Sequence, residues 1–594
     1  MPHDLNVSLN YNKDVQDIVS EIESGKLVLP DFQRDFVWPT KQIGKLLESI
    51  LNGYYIDTLL TLPVSGDPDN IPFPPRDVAG VPSSQTANNM EMVLDGQQRI
   101  SSIYYALTAP DLPLDNTTYP QLFCLKFSKI VNGEFDEDTI TWRRRDWDSS
   151  QRLIDNDYEL QMERDLIPFT VFRSKDAFEE WRWGLEDYAQ SHDSVTREDI
   201  QQFERNTGTF RGYDIPIIEL DPDTPDTVVV QTFERINTQG LDLGVFDILT
   251  ARLYPSPHNI NLRDLWDESI DQYPRIETYS DNSGSKTARE RILKTLALYR
   301  GTECKDASLR ELKPDNFESD WKSAASIIDR ALEKAKSTEV GGLGVTEKYG
   351  FPYGSILPTI ANLIYLAEEG GTYPNQEALE KIRQWYWVST FSRRYSGSSD
   401  TISYQDYNEV KDWIKGSRSE PPEAIQEGRN LIPIELSLDT TTRGGPYDGV
   451  MSLLVLNGAK DFGTFESINV HQVDDHHIFP NAQLKNGLNG NSYDKTERNK
   501  ILNRTIIQYR NNRFKYGDDL PSVYIPDMIE EHPRGEQGVR ELLQGHFIND
   551  EAFQALLNDD YEAFCESRKQ AIRQTIEDKT KMDLDWSVTE ARLQ

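Results

Sequence analysis

Hydrophobic and polar positions change period several times along the first 254 residues. Short apolar or alternating runs predict strands, and apolar residues three or four positions apart predict helices. The predicted strands are residues 58–62, 92–94, 123–127 and 215–220, and residues 27–30 predict a short strand or a turn. The predicted helices include 43–51, 100–107 and 245–249. The stretch 66–89, rich in Pro, Asp, Ser and Asn, predicts a loop. This mixture predicts an α/β or α+β domain over residues 1–254.

The pattern becomes mainly helical after residue 254, with apolar residues at helical spacing up to about residue 429. The remaining part, residues 430–594, combines two predicted strands, near 476–480 and 503–507, with further helical segments. The predicted fold class is therefore multi-domain α+β. It consists of an α/β N-terminal domain (1–254), a helical connector (255–429) and a C-terminal domain (430–594).

Composition narrows the class of protein. No apolar run approaches the length of about 20 residues that a membrane helix needs, so no membrane partner is expected. The three cysteines are widely separated, which argues against a disulfide framework and favours a reducing cytoplasm as the location. The net charge of −36 leaves two interpretations open. Either acidic residues cover solvated faces, as in proteins from a salty cytoplasm, and leave a basic groove, or the ligand is not a nucleic acid.

A histidine pair followed by two apolar residues and Pro, residues 476–480, precedes Asn503 and Asn512. These residue types can build a one-metal nuclease site, in which an imidazole takes a proton from water and a metal stabilises charge on the phosphate. Adjacent side chains on a strand point to opposite faces, so both histidines reach one site only if the strand bends. Basic residues at 498, 500, 504, 510, 513 and 515 suit phosphate binding, and a solvated charged face accounts for them as well.

With these residues the segment resembles the HNH endonuclease superfamily, in a His-Asn-Asn variant. The resemblance implies His477 as the general base and Asn503 as the residue that holds the loop and the base in place. It implies His476 and Asn512 as metal ligands, with Asp475 or its neighbour at 474 as a further partner around the metal. An Asn stands at the final metal position in place of His, and this favours Mg²⁺ or Mn²⁺ over zinc.

The N-terminal domain carries three polar motifs, at residues 32–34, 95–99 and 233–240. Gly96 allows a tight turn between a strand and a helix, and such a turn can present side chains and amides to an anion. Arg34 and Arg99 can fork onto phosphate oxygens, and Asp95 can hold a metal or activate water. The sequence contains no GxxxxGK[ST] motif, which excludes a P-loop as the nucleotide site.

In this order the motifs resemble the ParB/sulfiredoxin-like N-terminal domain of GmrSD-type, modification-dependent (type IV) restriction enzymes. The aromatic residues at 385–387 and the segment 394–397 are similar to that family as well, and the domain order matches its fused single-chain form. The resemblance implies hydrolysis of a nucleoside triphosphate, ATP or GTP, and recognition of modified double-stranded DNA. It makes the following residues candidates for the nucleotide-binding or DNA-sensing site: Gln33, Arg34, Asp95, Gly96, Gln97, Gln98, Arg99 and Asn237.

The expected function is an antiphage endonuclease that cuts or nicks modified DNA under control of nucleotide hydrolysis. Two alternatives stay open: an inactive HNH scaffold that senses DNA modification, and a nonspecific nuclease without nucleotide control. The sequence does not decide which modification is sensed, and a homo-oligomer is compatible with it.

Overall fold

A computed structural model describes residues 7–31, 33, 35–65, 73–82, 87, 89–225, 228–229, 232, 244–254, 258–278, 285–337, 342–369, 375–441, 443–468, 473–508 and 518–588. The chain divides into two compact units, Met1–Asn261 and Leu262–Gln594, each described below by itself. Both units together make a mixed α/β protein with several small sheets, consistent with the predicted multi-domain α+β class. The predicted division into three domains stays a prediction.

The first unit contains a six-stranded mixed sheet with the strand order β1-β9-β3-β5-β2-β4 and a separate three-stranded sheet with the order β7-β6-β8. The strands are β1 (Val7–Asp14), β2 (Leu27–Pro30), β3 (Leu59–Ser65), β4 (Pro75–Arg76), β5 (Asn89–Asp95), β6 (Gln121–Lys126), β7 (Ile140–Arg144), β8 (Leu166–Pro168) and β9 (Asp214–Leu220). Its described helices are α1 (Val15–Glu23), α2 (Thr40–Leu51), α3 (Gln97–Thr108), α4 (Phe127–Asn132), α5 (Asp148–Ile154), α6 (Tyr158–Arg164), α7 (Lys175–Ala189), α8 (Arg197–Asn206), α9 (Gly208–Arg211) and α10 (Val245–Leu253).

Alternation along the central strands gives the six-stranded sheet two apolar faces. Leu59 on β3 and Val93 on β5 face the larger core, which also contains residues of α1, α2 and α3. Their neighbours Leu60 and Leu94 face a smaller core that contains Ile248 of α10. Because both faces of β5 are covered, the strand is apolar at successive positions, and this explains the continuous apolar run that predicted it.

Two predicted boundaries were wrong. The strand predicted for 123–127 ends at Lys126, and Phe127 begins α4, where its ring stacks on Phe203 of α8. The stretch 66–89 was predicted as a loop, but Pro75 and Arg76 form a short strand that pairs with β2. In both places, contacts with residues distant in sequence override the local pattern.

The second unit is mainly helical. Its described helices are α11 (Leu262–Gln272), α12 (Arg275–Thr278), α13 (Ser285–Tyr299), α14 (Asp306–Arg310), α15 (Phe317–Lys336), α16 (Leu357–Glu369), α17 (Asn375–Phe391), α18 (Ser399–Ile414), α19 (Glu423–Glu435), α20 (Pro446–Leu456), α21 (Asn481–Asn486), α22 (Lys495–Asn499), α23 (Pro521–Glu531), α24 (Gly535–Gln544), α25 (Asp550–Leu557) and α26 (Tyr561–Thr580). One antiparallel pair, β10 (Val473–His477) and β11 (Arg504–Gln508), lies among these helices.

Helix α17 connects the earlier helices of this unit to its last long helix, because it packs against both α18 and α26. Next to it, a buried carboxylate gathers three donors: Asp406 is fully buried and accepts from Trp385 Nε1 at 3.0 Å and Tyr395 OH at 3.2 Å. Arg394 Nη2 lies 2.9 Å from Asp406 Oδ1, which supplies the compensating charge. A buried carboxylate needs such partners.

All three cysteines are buried free thiols. Within the described ranges, each helix is too short or too polar to cross a lipid bilayer.

Candidate functional site

The histidine pair lies on β10, which pairs with β11 in one continuous register. Asp475 is opposite Ile506, His476 opposite Thr505, and His477 opposite Arg504, with no shift between them. The bend that would bring the two histidines to one side is therefore absent from this strand pair. In a regular strand successive side chains alternate, so Asp475 and His477 share one face and His476 lies on the other.

His477 is half-buried, and its Nε2 atom lies 3.0 Å from Asn499 Oδ1. The amide orientation of Asn499 is fixed, because its Nδ2 donates to Lys495 O at 2.7 Å while its Oδ1 accepts from Arg504 Nη2 at 2.7 Å. An amide oxygen only accepts, so the hydrogen of the imidazole is on Nε2 and the lone pair is on Nδ1. Burial, helped by the positive charge of Arg504, lowers the pKa of His477 to about 4, so the ring is neutral near pH 7.

Asp475 is held from two sides on the same face as His477. Tyr447, near the start of α20, donates its hydroxyl to Asp475 Oδ2 at 2.6 Å. Arg504 Nη1 donates to Asp475 Oδ1 at 3.1 Å, and this guanidinium joins Asp475 to Asn499. Burial and the negative charge of Asp475 raise the pKa of Tyr447, which keeps its hydroxyl protonated as a donor. The face thus presents a carboxylate, an imidazole and a guanidinium close together.

Asn503 fixes the segment that follows β10. It is fully buried; its Oδ1 accepts from the Phe479 N–H at 2.8 Å, and its Nδ2 donates to Phe479 O at 2.9 Å and to Arg498 O at 3.0 Å. Its own carbonyl accepts from the Ile478 N–H at 3.0 Å. These contacts fit the holding role predicted for Asn503. The residue ends a 3-10 turn (Ile501–Asn503) rather than beginning the strand, because its side chain satisfies local backbone groups.

A buried arginine supports the same turn from the opposite direction. Arg568 on α26 is fully buried, and its Nη1 donates to Leu502 O at 2.7 Å. Its Nε donates to the carbonyl of His546 at 3.1 Å. Guanidinium donors on backbone carbonyls give this turn a rigid base.

His476 lies against the packed interior. It is 5% exposed, and its ring is edge-on to Phe462 with the ring centroids 5.8 Å apart. Phe462 also contacts His546, which is fully buried between Thr505 Oγ1 at 2.6 Å from its Nδ1 and Lys460 O at 2.7 Å from its Nε2. The predicted metal ligand His476 is therefore separated by the strand from His477 and Asp475.

The side chains of Asp475 and Asn499 place oxygen atoms on the same face as His477. Oxygen atoms are the ligands that a hard divalent ion prefers. Asp475 is the carboxylate among them, and the predicted ligand Asn512 lies outside the described residues. Among the residues that the structure describes, no group of three or more His, Cys, Asp or Glu side chains is placed to hold a metal ion. A carboxylate such as Asp475 is a ligand of the kind that Mg²⁺ or Mn²⁺ prefers, and metal binding stays a proposal.

In the first unit, the predicted turn joins β5 to α3. Asp95 ends β5, Gly96 has a φ of 98°, and Gln97 begins α3. A Cβ atom at Gly96 would lie 2.2 Å from Leu59 Cδ2, so the turn requires glycine both for its backbone conformation and for space. The N-cap residue Gly96 has no side chain, so it makes no side-chain hydrogen bond to the first turn of α3.

Arg99 ties this turn to a neighbouring loop. Its Nη2 donates to Asp95 Oδ2 at 2.8 Å, and its Nη1 donates to Ile56 O at 3.0 Å. Asp57 lies 4.0 Å from Arg99 Nη1 and has a φ of 78°, an uncommon conformation for a residue other than glycine. The guanidinium thus lies between two carboxylates, and Asp95 keeps 29% of its side chain exposed.

The three predicted glutamines have buried positions. Gln33 Nε2 donates to Val93 O at 2.6 Å and to Leu94 O at 2.9 Å. Gln98 accepts from the Val37 N–H at 3.0 Å and donates to Asp35 O at 3.0 Å. Gln33 is thus tied to β5, and Gln98 ties residues 35 and 37 to α3. Gln97 is 8% exposed at the start of α3.

Arg34 and Asn237, predicted for the same site, lie outside the described residues. Sequence reasoning missed Asn499, Tyr447 and Asp57 as parts of the two sites. The polar character of the stretch before Asn503 was a weak signal for Asn499. Tyr447 follows a Gly-Gly-Pro turn and gave no signal, because its partner Asp475 comes from a distant segment.

Residues 15–254 match the family model for the GmrSD restriction endonuclease, N-terminal domain. The match supports a GmrSD-type restriction endonuclease family. The matched range contains the β5–α3 turn and its partners, so the sequence resemblance and this comparison agree on the N-terminal part of the chain.

A relative covers nearly the full length. The uncharacterized protein MJ0686 of Methanocaldococcus jannaschii is 29% identical over 599 residues, which cover 96% of this chain and 98% of that protein. The similarity therefore extends through both units and includes the segment that carries His477 and Asn503.

Proposed function

We propose that the protein is a defence endonuclease that cuts or nicks modified double-stranded DNA. His477 is the general base, and nucleotide hydrolysis at the Asp95–Arg99 turn controls the cut. The match of residues 15–254 to the GmrSD N-terminal domain supports a restriction endonuclease that acts on DNA. The single observation that carries the cleavage role is the face of the β10–β11 pair on which His477, Asp475 and Arg504 lie together.

His477 is prepared as a base by its partners. Asn499 accepts the Nε2 hydrogen, so the Nδ1 lone pair is free to take a proton from a water molecule. The lowered pKa keeps that lone pair unprotonated near neutral pH. Asn503 holds the backbone on the C-terminal side of His477, which fixes the direction of the imidazole.

Arg504 is the positive group that contacts the scissile phosphate. Its guanidinium already bridges Asp475 and Asn499, so its position is set before DNA arrives. Asp475, with Asn512 beyond the described residues, would hold a divalent ion. When bound, that ion supplies charge stabilisation on the phosphate.

The Asp95–Arg99 turn is the proposed nucleotide site. The N-terminal end of α3, where the helix dipole favours negative charge, would face phosphate oxygens, and Arg99 would offer its guanidinium. Asp95 is the carboxylate that holds a metal ion or orients water, while Gln33 and Gln98 keep the surrounding segment in place.

The cleavage role is tested with His477→Ala on modified and unmodified DNA, each with Mg²⁺ or Mn²⁺ and with ATP or GTP. We expect the variant to lose cleavage while its melting temperature and its rate of nucleotide turnover stay unchanged. His192→Ala, at an exposed histidine of the first unit, is the matched control and should cut at the parental rate. Parental cleavage by His477→Ala would remove it as the base.

The nucleotide role is tested with Arg99→Ala, which should abolish nucleotide turnover. Cleavage by this variant should no longer respond to ATP or GTP. Unchanged turnover would refute the assignment of the turn.

A second candidate is a scaffold that senses DNA modification without cutting. The placement of His476 against Phe462, away from Asp475, favours it. A titration with Mg²⁺ and Mn²⁺ separates the two, because the scaffold shows no metal-dependent nicking on any DNA.

A further inference from the structure

The three-stranded sheet of the first unit carries an exposed patch of aromatic rings around an arginine. Trp142 and Arg144 lie two residues apart on β7 and therefore on the same side of it. Tyr119 precedes β6, and Trp147 follows β7. Tyr119 is 42% exposed, Trp142 40% and Trp147 48%. These four residues are named here the aromatic–arginine surface. Large exposed rings grouped on one surface, rather than scattered singly, mark a binding site.

Arg144 is the centre of this surface. Its guanidinium carbon lies 3.4 Å from the ring centroid of Tyr119 and 5.4 Å from that of Trp147. It also forms a two-point contact with Asp146, through Nε at 3.0 Å and Nη2 at 2.6 Å. This ion pair is exposed to solvent and contributes little stability, so an incoming phosphate can replace Asp146. The guanidinium thus lies close to two aromatic rings, and its exposed partner Asp146 can be replaced by another anion.

The stretch of chain that carries this surface is locally basic, as is the stretch from 498 to 515. Residues 140–152 contain four arginines and two aspartates, in a chain whose net charge is −36. An acidic protein attracts an anionic partner only where positive charge is concentrated. Exposed aromatic rings interleaved with arginines are the groups that bind unstacked nucleic-acid bases and the phosphates between them. A partner with stackable rings and negative charge therefore fits better than an acidic peptide, which offers only the charge.

We infer that the aromatic–arginine surface binds DNA by stacking on bases that are unpaired or turned out of the duplex. The inference rests on the proposed function, since DNA is the proposed substrate, and adds where the first unit contacts it. Trp147 and Tyr119 supply the stacking faces. Arg144 leaves Asp146 to contact a phosphate.

Ring contacts connect this surface to the proposed nucleotide site. Trp142 lies 6.1 Å from Phe123, Phe123 lies 6.2 Å from Tyr105, and Tyr105 lies 6.1 Å from Phe36, measured between ring centroids. Tyr105 belongs to α3, the helix that begins at the Asp95–Arg99 turn. Packed rings therefore link the DNA-binding surface, through Trp142 and Phe123, to α3, the helix that begins at the nucleotide turn. We expect unpaired DNA to change the rate of nucleotide turnover.

The test is DNA binding by the full chain without divalent metal, so that cleavage does not enter. The probes are a labelled single strand, a fully paired duplex and the same duplex with a central bulge. Binding of each probe is measured by fluorescence anisotropy. Trp147→Ala should weaken binding of the single strand and of the bulged duplex by roughly 5- to 100-fold, the range for loss of one base-stacking ring. Binding of the paired duplex should change less, and Trp147→Phe should restore most of the affinity.

Trp183→Ala is the matched control, because Trp183 is 59% exposed on α7 and its neighbour Arg182 is paired with Glu179 and Glu186. This variant should bind DNA like the parent. Equal losses in both alanine variants, or none in either, would overturn the inference, as would polyglutamate competing as well as unlabelled single strand. Nucleotide turnover by Trp147→Ala that still responds fully to unpaired DNA would overturn the connection to α3. A parent that binds DNA in this way without ever cutting it would refute the proposed nuclease while leaving the surface intact.

Discussion

Asn499→Ala is the sharpest test of how His477 is prepared for proton transfer. Asn499 is the acceptor that fixes the Nε2 hydrogen of His477, and its side chain also meets Arg504. With alanine at 499 the imidazole can turn and can exchange its tautomer, so the Nδ1 lone pair no longer points reliably at the water. The substitution leaves the histidine, the carboxylate and the guanidinium in the protein.

The expected loss follows from the contacts that disappear. A neutral hydrogen bond contributes about 0.5–1.5 kcal/mol net. Arg504 keeps its contact with Asp475 at 3.1 Å, so it stays close to its position. A loss of about 1.4 kcal/mol in transition-state stabilisation lowers the rate about tenfold. We therefore expect kcat to fall about 10-fold, with little change in KM for DNA.

The assay is single-turnover nicking of a supercoiled plasmid that carries the modification the parent recognises, with Mg²⁺ in excess. Asn499→Asp keeps an oxygen acceptor for both His477 and Arg504 and should retain most of the rate. Asn491→Ala, at an exposed asparagine of the same unit, is the control and should match the parent. If Asn499→Ala cuts as fast as Asn491→Ala, the orienting role of Asn499 is wrong.

Three further predictions concern stability, each measured by chemical denaturation. Gly96→Ala should lower the free energy of unfolding by about 2–4 kcal/mol, because it adds a Cβ contact at 2.2 Å to an unfavourable φ. Gly133→Ala, with a φ of 73° and its nearest atom 3.9 Å away, should lower it by only about 1 kcal/mol. Equal losses in the two variants would contradict the steric explanation of the turn. Asp406→Ala leaves the buried guanidinium of Arg394 without its main counter-charge and should lower the free energy of unfolding by about 3 kcal/mol, while Asp406→Asn should lower it less. An alanine variant as stable as the parent would contradict the role of this network. Burial lowers the pKa of His546 to about 3, below the value of about 6.5 in the unfolded chain, so the unfolded state takes up more protons as the pH falls below 6.5 and stability is lost. Between pH 7.5 and 5 this residue should remove about 2 kcal/mol, a loss that His546→Gln should not show, and identical pH profiles would disprove it.

The sequence predicted those strands and turns whose conformation follows from their own residues. The run at 92–94 lies in strand β5, and the run at 27–30, for which a strand or a turn was expected, is strand β2. Both strands are apolar at successive positions because both of their faces are buried. The polar turn at 95–99 was predicted correctly as a strand-to-helix connection, since Gly96 has a conformation that few other residues adopt. Local pattern was sufficient in these cases.

The contacts that shape the candidate sites could not be predicted in the same way. Tyr447 reaches Asp475 from α20, and Arg99 reaches the carbonyl of Ile56 from α3. Such pairs depend on how segments distant in the chain pack together, and the spacing of apolar residues within one segment carries no information about that packing. The expected bend at the two histidines is a related case: the continuous pairing with β11 keeps the strand regular and turns His476 toward Phe462. The roles of His477, Asp95 and the other candidate residues stay predictions until the variants are measured.

Arg568 makes the order of synthesis relevant to the proposed nuclease. It follows Leu502 by 66 residues, yet its guanidinium holds the carbonyl groups just before Asn503. During translation, β10 and β11 are both made well before α26 leaves the ribosome. Until then the turn that supports His477 lacks its buried donor. A nascent chain therefore carries the histidine pair before α26 can complete the surroundings of this turn, so the proposed cutting site is complete only once α26 has folded against it.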